Sequence, residues 1–351
     1  MSKFYQLSVQ KIHRETPNAV SITFSVPENL KEEFSFIPGQ YVTIKKNMNG
    51  EELRRAYSIC SLPESTTFCI AIKAVMNGKF SVYATSSLKE GDVLEVSKPE
   101  GKFILETNAE NSKNYLAIAA GSGITPIMAM IKKVLSTEPL STFTLIYGNK
   151  TEEETLFFNE IETLKSKFSN TFFVHYVFSR KQYENTLFGR IDKANLNYLL
   201  KNKLTQTSFN KTFICGPEEM INSVKETLIH KKFSEKNILF ELFSTKIEAE
   251  NLSAIYEGSC NITVIVDDDD ETFTMNTKST ILTAALKQGL DVPYSCQGGI
   301  CSSCMAKVTE GKAVMDKNSI LNEAEIEQGL ILTCQAHPIT EKITVDYDNI
   351  Q

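Results

Sequence analysis

The chain has 351 residues, 42% hydrophobic and 23% charged. Those proportions suit globular protein and exclude a collagen-like, disordered or disulfide-dense chain, and the length predicts two to three domains. Lys and Arg total 37 against 43 Asp and Glu, a net charge of −6, which excludes nucleic-acid binding through a basic surface. The charge is uneven. Residues 261–351 hold 14 acidic and 6 basic side chains, net −8, leaving +2 for everything before them. The C-terminal part therefore reads as a separate acidic module. The opening MSKFYQLSVQ lacks the apolar stretch of a secretory leader. Residues 114–131 are uncharged and long enough for a membrane helix, but Gly121-Ser122-Gly123 and Thr125-Pro126 interrupt them. A strand, a turn and a helix are expected there instead. A cytoplasmic protein without a membrane segment is expected.

In chain order, FYQLSV, AVSITFSV, QYVTIKK, RRAYSI, FCIAIKA and DVLEVS are β-rich. Pro38-Gly39, Asn49-Gly50 and Gly91-Asp92 punctuate them, and residues 80–88 read as a short helix. Six strands and one helix predict a small antiparallel barrel, ending near the polar stretch ETNAENSK at 106–113. From Tyr115 the pattern becomes strand and helix in alternation. YLAIAA, FTLIYG, FFVHYVF, TFICG and ILFELF are the strands. Helices are expected from Ile124, over about 153–168, and from Pro217. Such alternation predicts βαβ units on a parallel sheet. Residues 244–259 are polar and aperiodic, a linker. Beyond it NITVIV and ETFTMN pair across Asp267–Asp270, read as a solvated turn. A helix (TILTAALKQG), a cysteine loop, further strands and a closing KITVDY follow.

Four of the eight cysteines stand apart. Cys296, Cys301 and Cys304 follow C-x4-C-x2-C, and 29 residues separate Cys304 from Cys334. This is the plant-type [2Fe–2S] spacing, in which each iron needs two thiolates besides the bridging sulfides. Here a tight loop supplies three ligands and a later strand the fourth. Gly298 and Gly299 let the backbone close around the cluster, so that its N–H groups can donate to sulfur. Zinc and disulfides are the alternatives. Zinc sites usually show two CxxC-like pairs and this chain has one, while disulfides are rare in cytosolic protein. Cys60, Cys69, Cys215 and Cys260 have no metal-ligand spacing.

Gly121-Ser122-Gly123-Ile124-Thr125-Pro126 links the strand YLAIAA to a helix. Two glycines let backbone approach a diphosphate, the helix start offers unpaired N–H groups, and a first-turn proline costs no hydrogen bond. A second such turn, Cys215-Gly216-Pro217, opens another helix, the alternative for Cys215 being a buried core thiol. Arg55-Ala56-Tyr57-Ser58 lies on a strand of the first domain. An Arg can grip a diphosphate, a tyrosine ring can lie on a flat aromatic ligand, and a serine can hydrogen-bond a ring nitrogen. Ile72-Lys73-Ala74 and the helix start Gly78-Lys79-Phe80-Ser81 accompany it.

With these motifs the chain resembles a ferredoxin–NADP reductase-type module, residues 1–245, followed by a plant-type ferredoxin, residues 261–347. It is similar to the oxygenase reductases and most nearly to the reductase components of phenylacetyl-CoA epoxidase systems. The resemblance implies three domains: an antiparallel Greek-key β-barrel for FAD (1–108), an α/β parallel-sheet NAD(P) domain (109–244), and, after a linker (245–260), an α+β β-grasp ferredoxin domain (261–351). It implies flavin binding by Arg55, Tyr57 and Ser58, with the G-K-F-S segment pointing to FAD rather than FMN. Nicotinamide nucleotide would be held by Gly121, Gly123, Thr125, Pro126, Cys215, Gly216 and Pro217, and Glu241 and Phe243 would lie near the flavin. Cys296 and Cys301 would hold one iron, Cys304 and Cys334 the other. Ser179 and Arg180 follow a strand where the family can read a ribose 2′-phosphate, which favours NADPH; as an ordinary basic loop they would leave NADH equally usable.

The implied function is transfer from NADPH through FAD and [2Fe–2S] to an oxygenase, with Ser58, Thr125 and Cys215 around the hydride-transfer contact. A flavin accepts two electrons and releases them singly, which a nicotinamide donor and an iron–sulfur acceptor require. The alternatives are a free-standing ferredoxin or flavodoxin reductase and a redox sensor. No two-His, one-carboxylate iron motif is present, so oxygen activation belongs to a partner. His13, His175, His230 and His337 are scattered singly and read as surface or packing residues.

Overall fold

The computed structural model describes residues 3–63, 66–204, 208–243 and 258–350. Most of the expected linker, residues 245–257, lies outside the described residues. None of the described helices is long and apolar enough to cross a membrane. The chain divides into two compact units, one drawn from residues 6–42 and 57–243, the other from residues 1–5, 43–56 and 244–351.

The first six strands fall where the β-rich runs predict them: β1 (Phe4–Thr16), β2 (Ala19–Ser25), β3 (Tyr41–Met48), β4 (Glu51–Ser58), β5 (Thr67–Lys73) and β6 (Val93–Ser97). They form one sheet in the order β4-β3-β6-β1-β2-β5. Alternation drives burial in β1, where Tyr5, Leu7 and Val9 are buried and Gln6, Ser8 and Gln10 are exposed. Asn49 and Gly50, both at positive φ, make the two-residue turn between β3 and β4. The short helix α1 (Lys79–Ser86) follows β5.

The nucleotide region holds β7 (Asn114–Ala120), α2 (Ile124–Thr137), β8 (Thr142–Asn149), α3 (Phe158–Lys167), β9 (Phe172–Phe178), β10 (Leu187–Phe188), α4 (Lys193–Asn202), β11 (Lys211–Cys215), α5 (Glu218–His230) and β12 (Ile238–Glu241). Its sheet is parallel, in the order β10-β9-β8-β7-β11-β12. The run YLAIA in β7 is buried on both faces, as a central parallel strand requires. Ile124, Ile127, Met128, Ile131, Val134 and Leu135 of α2 are buried against the same core. Two elements differ from expectation. The helix expected from about 153 starts at Phe158, because residues 151–156 form turns and Phe157 adopts a left-handed conformation. Helix α4 has no counterpart in the sequence reading. Its apolar face is reduced to Leu196 and Leu199 among polar residues, and the Asp192 side chain caps it by accepting from the Asn195 N–H.

The C-terminal part contains β13 (Ser259–Val266), β14 (Asp269–Asn276), α6 (Ile281–Lys287), β15 (Met305–Glu310), β16 (Ala313–Met315), α7 (Glu323–Glu327), β17 (Leu330–Leu332), β18 (Ala336–Pro338) and β19 (Lys342–Asp346). Five of its strands form the mixed β-grasp sheet β14-β13-β19-β15-β17, with β13 and β19 parallel. Of the four aspartates read as a turn, only Asp267 and Asp268 make it, both at positive φ, while Asp269 and Asp270 already belong to β14. The Asp348 carboxylate accepts both turn N–H groups, at 3.0 and 2.9 Å. The sequence reading puts Cys334 on a strand. It lies instead in the turn between β17 and β18, because its loop must leave the sheet to meet the other cysteines.

Candidate functional site

The parallel sheet changes direction between β7 and β11: β8 and β9 extend to one side of β7, and β11 and β12 to the other. A crevice outside the carboxyl ends of such strands is where open α/β sheets bind ligands. Both glycine turns lie there. Gly121 has φ +55° and starts a single 3-10 turn to Gly123, held by the Tyr147 hydroxyl donating to the Gly121 carbonyl (3.0 Å) and by Thr125 Oγ1 donating to the Ser122 carbonyl (3.0 Å). A Cβ on Gly123 would stand 2.1 Å from the Cys215 carbonyl oxygen, so the two turns touch and only glycine fits. Cys215 is fully buried. Burial, with the nearby Glu241 carboxylate, pushes its thiol well above the usual range.

Cys215 is in register with Glu241 on β12, and Glu241 Oε2 accepts a 3.3 Å hydrogen bond from Ser58 Oγ at the end of β4. Contacts therefore connect Gly123, Cys215, Glu241 and Ser58, although Ser58 and Glu241 lie 183 residues apart. Phe243, two residues past Glu241, is 41% exposed. The Tyr57 ring packs tilted on Phe80, 5.9 Å between centroids. Ile72 is buried, the Ala74 N–H donates to Asn18 O, and burial lowers the Lys73 ammonium below its usual range. Arg55 is exposed on β4, its Nη1 donating to the Arg54 carbonyl at 2.7 Å. Ser179 Oγ donates to the Asn149 carbonyl at 3.4 Å, and the Arg180 side chain is exposed.

Helices α1, α2 and α5 begin at Gly78, Gly123 and Pro217, none of which supplies a side-chain cap. Helices α4, α6 and α7 are capped by Asp192, Thr280 and Asn322. The N-cap positions of the first three thus offer no side-chain acceptor, which suits the phosphates of a dinucleotide. Helix α3, begun by Phe157, is also without a side-chain cap, although no phosphate motif precedes it.

In the cysteine loop, Cys301 Sγ donates to Cys296 Sγ at 3.1 Å, and the Gly298 N–H donates to the same sulfur at 3.3 Å. The Cys334 thiol is drawn down by its hydrogen bond with Cys296, but its bond with Cys304 and its burial outweigh that and push it up to about 12. Cys334 thus feels both Cys296 and Cys304, while Cys296 is hydrogen-bonded to Cys301. Gln297 and Gly299 have positive φ, and a Cβ on Gly299 would stand 2.8 Å from the Lys317 carbonyl. The buried Ser295 hydroxyl has no hydrogen-bond partner among the described residues. An unspent donor, an N–H on sulfur and four converging thiols fit a [2Fe–2S] cluster. Among the described residues no three or more His, Cys, Asp or Glu side chains gather as ligands of one ion, and each iron of such a cluster asks for only two.

Sequence reasoning missed the supports of these sites. Thr333 bridges the two ends of the cysteine constellation: its N–H and Oγ1 donate to the Cys304 carbonyl at 3.1 and 2.9 Å, and its Oγ1 accepts from the Tyr347 hydroxyl at 2.9 Å. Nothing in the sequence marks Thr333 or Tyr147, since each acts through backbone carbonyls far away along the chain. His337 is a packing residue, with Nδ1 3.0 Å from the Thr277 carbonyl and Nε2 3.0 Å from Asp316.

Three family models match in succession: the oxidoreductase FAD-binding domain at residues 6–104, the oxidoreductase NAD-binding domain at 117–226 and the 2Fe-2S iron-sulfur cluster binding domain at 264–338. In fold the chain is similar to phthalate dioxygenase reductase, described as a modular structure for electron transfer from pyridine nucleotides to [2Fe–2S] (TM-score 0.60, 22% identity, 98% of both chains). It is also similar to an intact type IV self-sufficient cytochrome P450 monooxygenase (TM-score 0.72, 20% identity, 97% of this chain), of whose longer chain it spans 41%. These features define an oxidoreductase that uses FAD, a nicotinamide nucleotide and a [2Fe–2S] cluster. Among curated proteins the chain is 40% identical to a component of the 1,2-phenylacetyl-CoA epoxidase of Escherichia coli (strain K12), over 99% of both chains. It is 28% identical to the ferredoxin reductase component of 3-ketosteroid-9-alpha-monooxygenase of Rhodococcus rhodochrous, over 97% of this chain and 96% of that one. The chain belongs to the family of reductase components of oxygenase systems.

Proposed function

We propose that this reductase serves a phenylacetyl-CoA epoxidase, taking hydride from NADPH and delivering single electrons to the oxygenase subunits of that system. The observation that carries the reading is the 40% identity to the Escherichia coli epoxidase component over 99% of both chains. The bound flavin supplies the conversion between a two-electron donor and a one-electron acceptor.

The residues have distinct parts in this reading. Arg55 grips the flavin diphosphate, with Gly78, Lys79 and Ser81 at the start of α1 as a second cradle. Tyr57 and Phe80 cover the flavin's flat surface, and Ile72, Lys73 and Ala74 line its edge. The uncapped starts of α2 and α5 take the nicotinamide nucleotide, through Gly121, Gly123, Thr125 and Pro126 and through Gly216 and Pro217. Ser58, oriented by Glu241, presents its hydroxyl to the reacting ring, and the protonated Cys215 thiol packs beside it, with Phe243 at the rim. Ser179 and Arg180 recognise the 2′-phosphate of NADPH. Cys296 and Cys301 hold one iron, Cys304 and Cys334 the other. The domain limits consistent with these roles are 1–108, 109–244 and 261–351, and the protein works in the cytoplasm.

Reconstitution with phenylacetyl-CoA epoxidase oxygenase subunits tests the reading. Epoxide formed in near-stoichiometric ratio to NADPH consumed is expected. Rapid anaerobic bleaching of flavin and cluster without product transfers the protein to another oxygenase, and failure to bleach ends the reductase reading altogether.

A further inference from the structure

Arg54 is buried, its side chain only 4% exposed, while its neighbour Arg55 faces solvent. Its guanidinium lies 4.2 Å from the ring centroid of Tyr294 and 5.1 Å from that of Phe4. Nε donates to Glu52 Oε1 at 2.8 Å, and Nη2 donates to Asp291 Oδ1 at 3.0 Å. The Tyr294 hydroxyl donates to the same Glu52 oxygen at 3.3 Å. Glu52 and Arg54 come from the β3–β4 hairpin; Asp291 and Tyr294 come from the segment leading directly into Ser295 and Cys296. All belong to one compact unit. Hydrogen bonds run from Asp291 through Arg54 and Glu52 to Tyr294, whose ring lies back against the guanidinium, and within the guanidinium Nη1 alone lacks a hydrogen-bond partner among the described residues.

An ion pair with a buried cation and exposed carboxylates contributes little net stability, because desolvating the guanidinium offsets most of the attraction. What it supplies is geometry. A planar guanidinium that both stacks on a ring and binds two carboxylates fixes one orientation, which a lysine ammonium cannot reproduce. Tyr294 stands two residues before Cys296, and Arg55 follows Arg54 directly. We infer that Arg54 is a positioning residue, which seats segment 291–294, and with it the first cluster cysteine, on the strand that carries Arg55. This rests on the roles given above to Arg55 and Cys296. One-electron transfer falls steeply with separation, so loosening this seat slows delivery into the cluster without touching hydride transfer.

The test compares holoenzyme of the parent with Arg54→Met, Arg54→Lys and Asp291→Asn. Four readouts apply: flavin and iron per chain, NADPH reduction of flavin by stopped flow, cytochrome c reduction through the cluster, and hydrogen–deuterium exchange of peptides covering 288–295. For fully loaded Arg54→Met the expectation is flavin reduction within about twofold of the parent, cytochrome c reduction down roughly tenfold or more, and faster exchange at 288–295. Arg54→Lys should behave like the methionine variant, and Asp291→Asn should move the same readouts less far. Parent-like exchange and cytochrome c reduction in loaded Arg54→Met overturn the inference; if that variant does not fold, parent-like values in Asp291→Asn do so. Parent protein that binds neither flavin nor iron instead overturns the underlying functional reading.

Discussion

Ser58, at the end of β4, hydrogen-bonds through its hydroxyl to the carboxylate of Glu241 at the end of β12, 183 residues later, at 3.3 Å. Glu241 is also the register partner of Cys215, so one carboxylate orients the serine and faces the thiol. Ser58→Ala should retain flavin while flavin reduction by NADPH slows roughly five- to tenfold, about the worth of one hydrogen bond of 1 kcal/mol or slightly more. Stopped-flow rates equal to the parent's would remove Ser58 from the hydride-transfer contact.

Arg55 differs from Ser58 in being exposed, with its Nη1 turned back onto the carbonyl of the residue before it. The rest of its guanidinium faces solvent, where a ligand can reach it. Arg55→Ala should weaken flavin retention by roughly ten- to a hundredfold, the loss expected for a charge-assisted hydrogen bond of about 1.5–3 kcal/mol. Gel filtration with absorbance of the yellow chromophore measures it, and full occupancy in the variant would count against the role.

Cys304→Ser separates the two halves of the electron path. Flavin reduction by NADPH should stay at the parent rate, and reduction of a cluster-dependent one-electron acceptor should fall to background. Undiminished delivery would place the cluster off the path.

A fourth prediction concerns stability. The Glu138 side chain is 1% exposed and its carboxylate receives four donors: Asn108 N–H (3.0 Å) and Asn111 Nδ2 (2.7 Å) on Oε1, and Tyr115 Oη (2.9 Å) and Ser141 Oγ (2.7 Å) on Oε2. Burial raises its pKa, but the four donors together outweigh burial and hold it below the usual carboxylate value of 4.5. A carboxyl lowered on folding stabilises the protein above its ordinary pKa, and that contribution is lost as pH falls through the lowered folded value. Glu138→Gln should cost about 1–3 kcal/mol at neutral pH, because an amide nitrogen cannot accept the bonds on one side. Denaturant unfolding at about pH 7 and about pH 4 should show the difference between parent and variant shrinking at the lower pH. A constant difference would mean that the carboxylate charge is not what matters.

The cluster was legible because cysteine spacing is a local signal, and the glycine turns because each joins an apolar strand to a periodic helix. The placement of Cys334 was not, since a ligand separated from the others by 29 residues can arrive on a strand or in the turn beside it. Helix α7 escaped because five residues, Glu323–Glu327, bury no side chain; only its capping box, Asn322 with Glu325, carried a signal. Adjacent Arg54 and Arg55 look alike in sequence, and strand alternation does not sort them, because Leu53 and Arg54 are both buried. The approach of Ser58 to Glu241 is a property of the sheets and not of either segment.

Strand β19, made of residues 342–346, sits in the middle of its sheet, parallel to β13 on one side and antiparallel to β15 on the other. During synthesis, a chain interrupted anywhere before Lys342 leaves those two neighbours with open edges and nothing to join them. The Tyr347 hydroxyl, which steadies Thr333 between Cys304 and Cys334, emerges later still. A chain stopped between Cys334 and Lys342 has all four thiols yet lacks the central strand that frames them, so iron loading depends on β19.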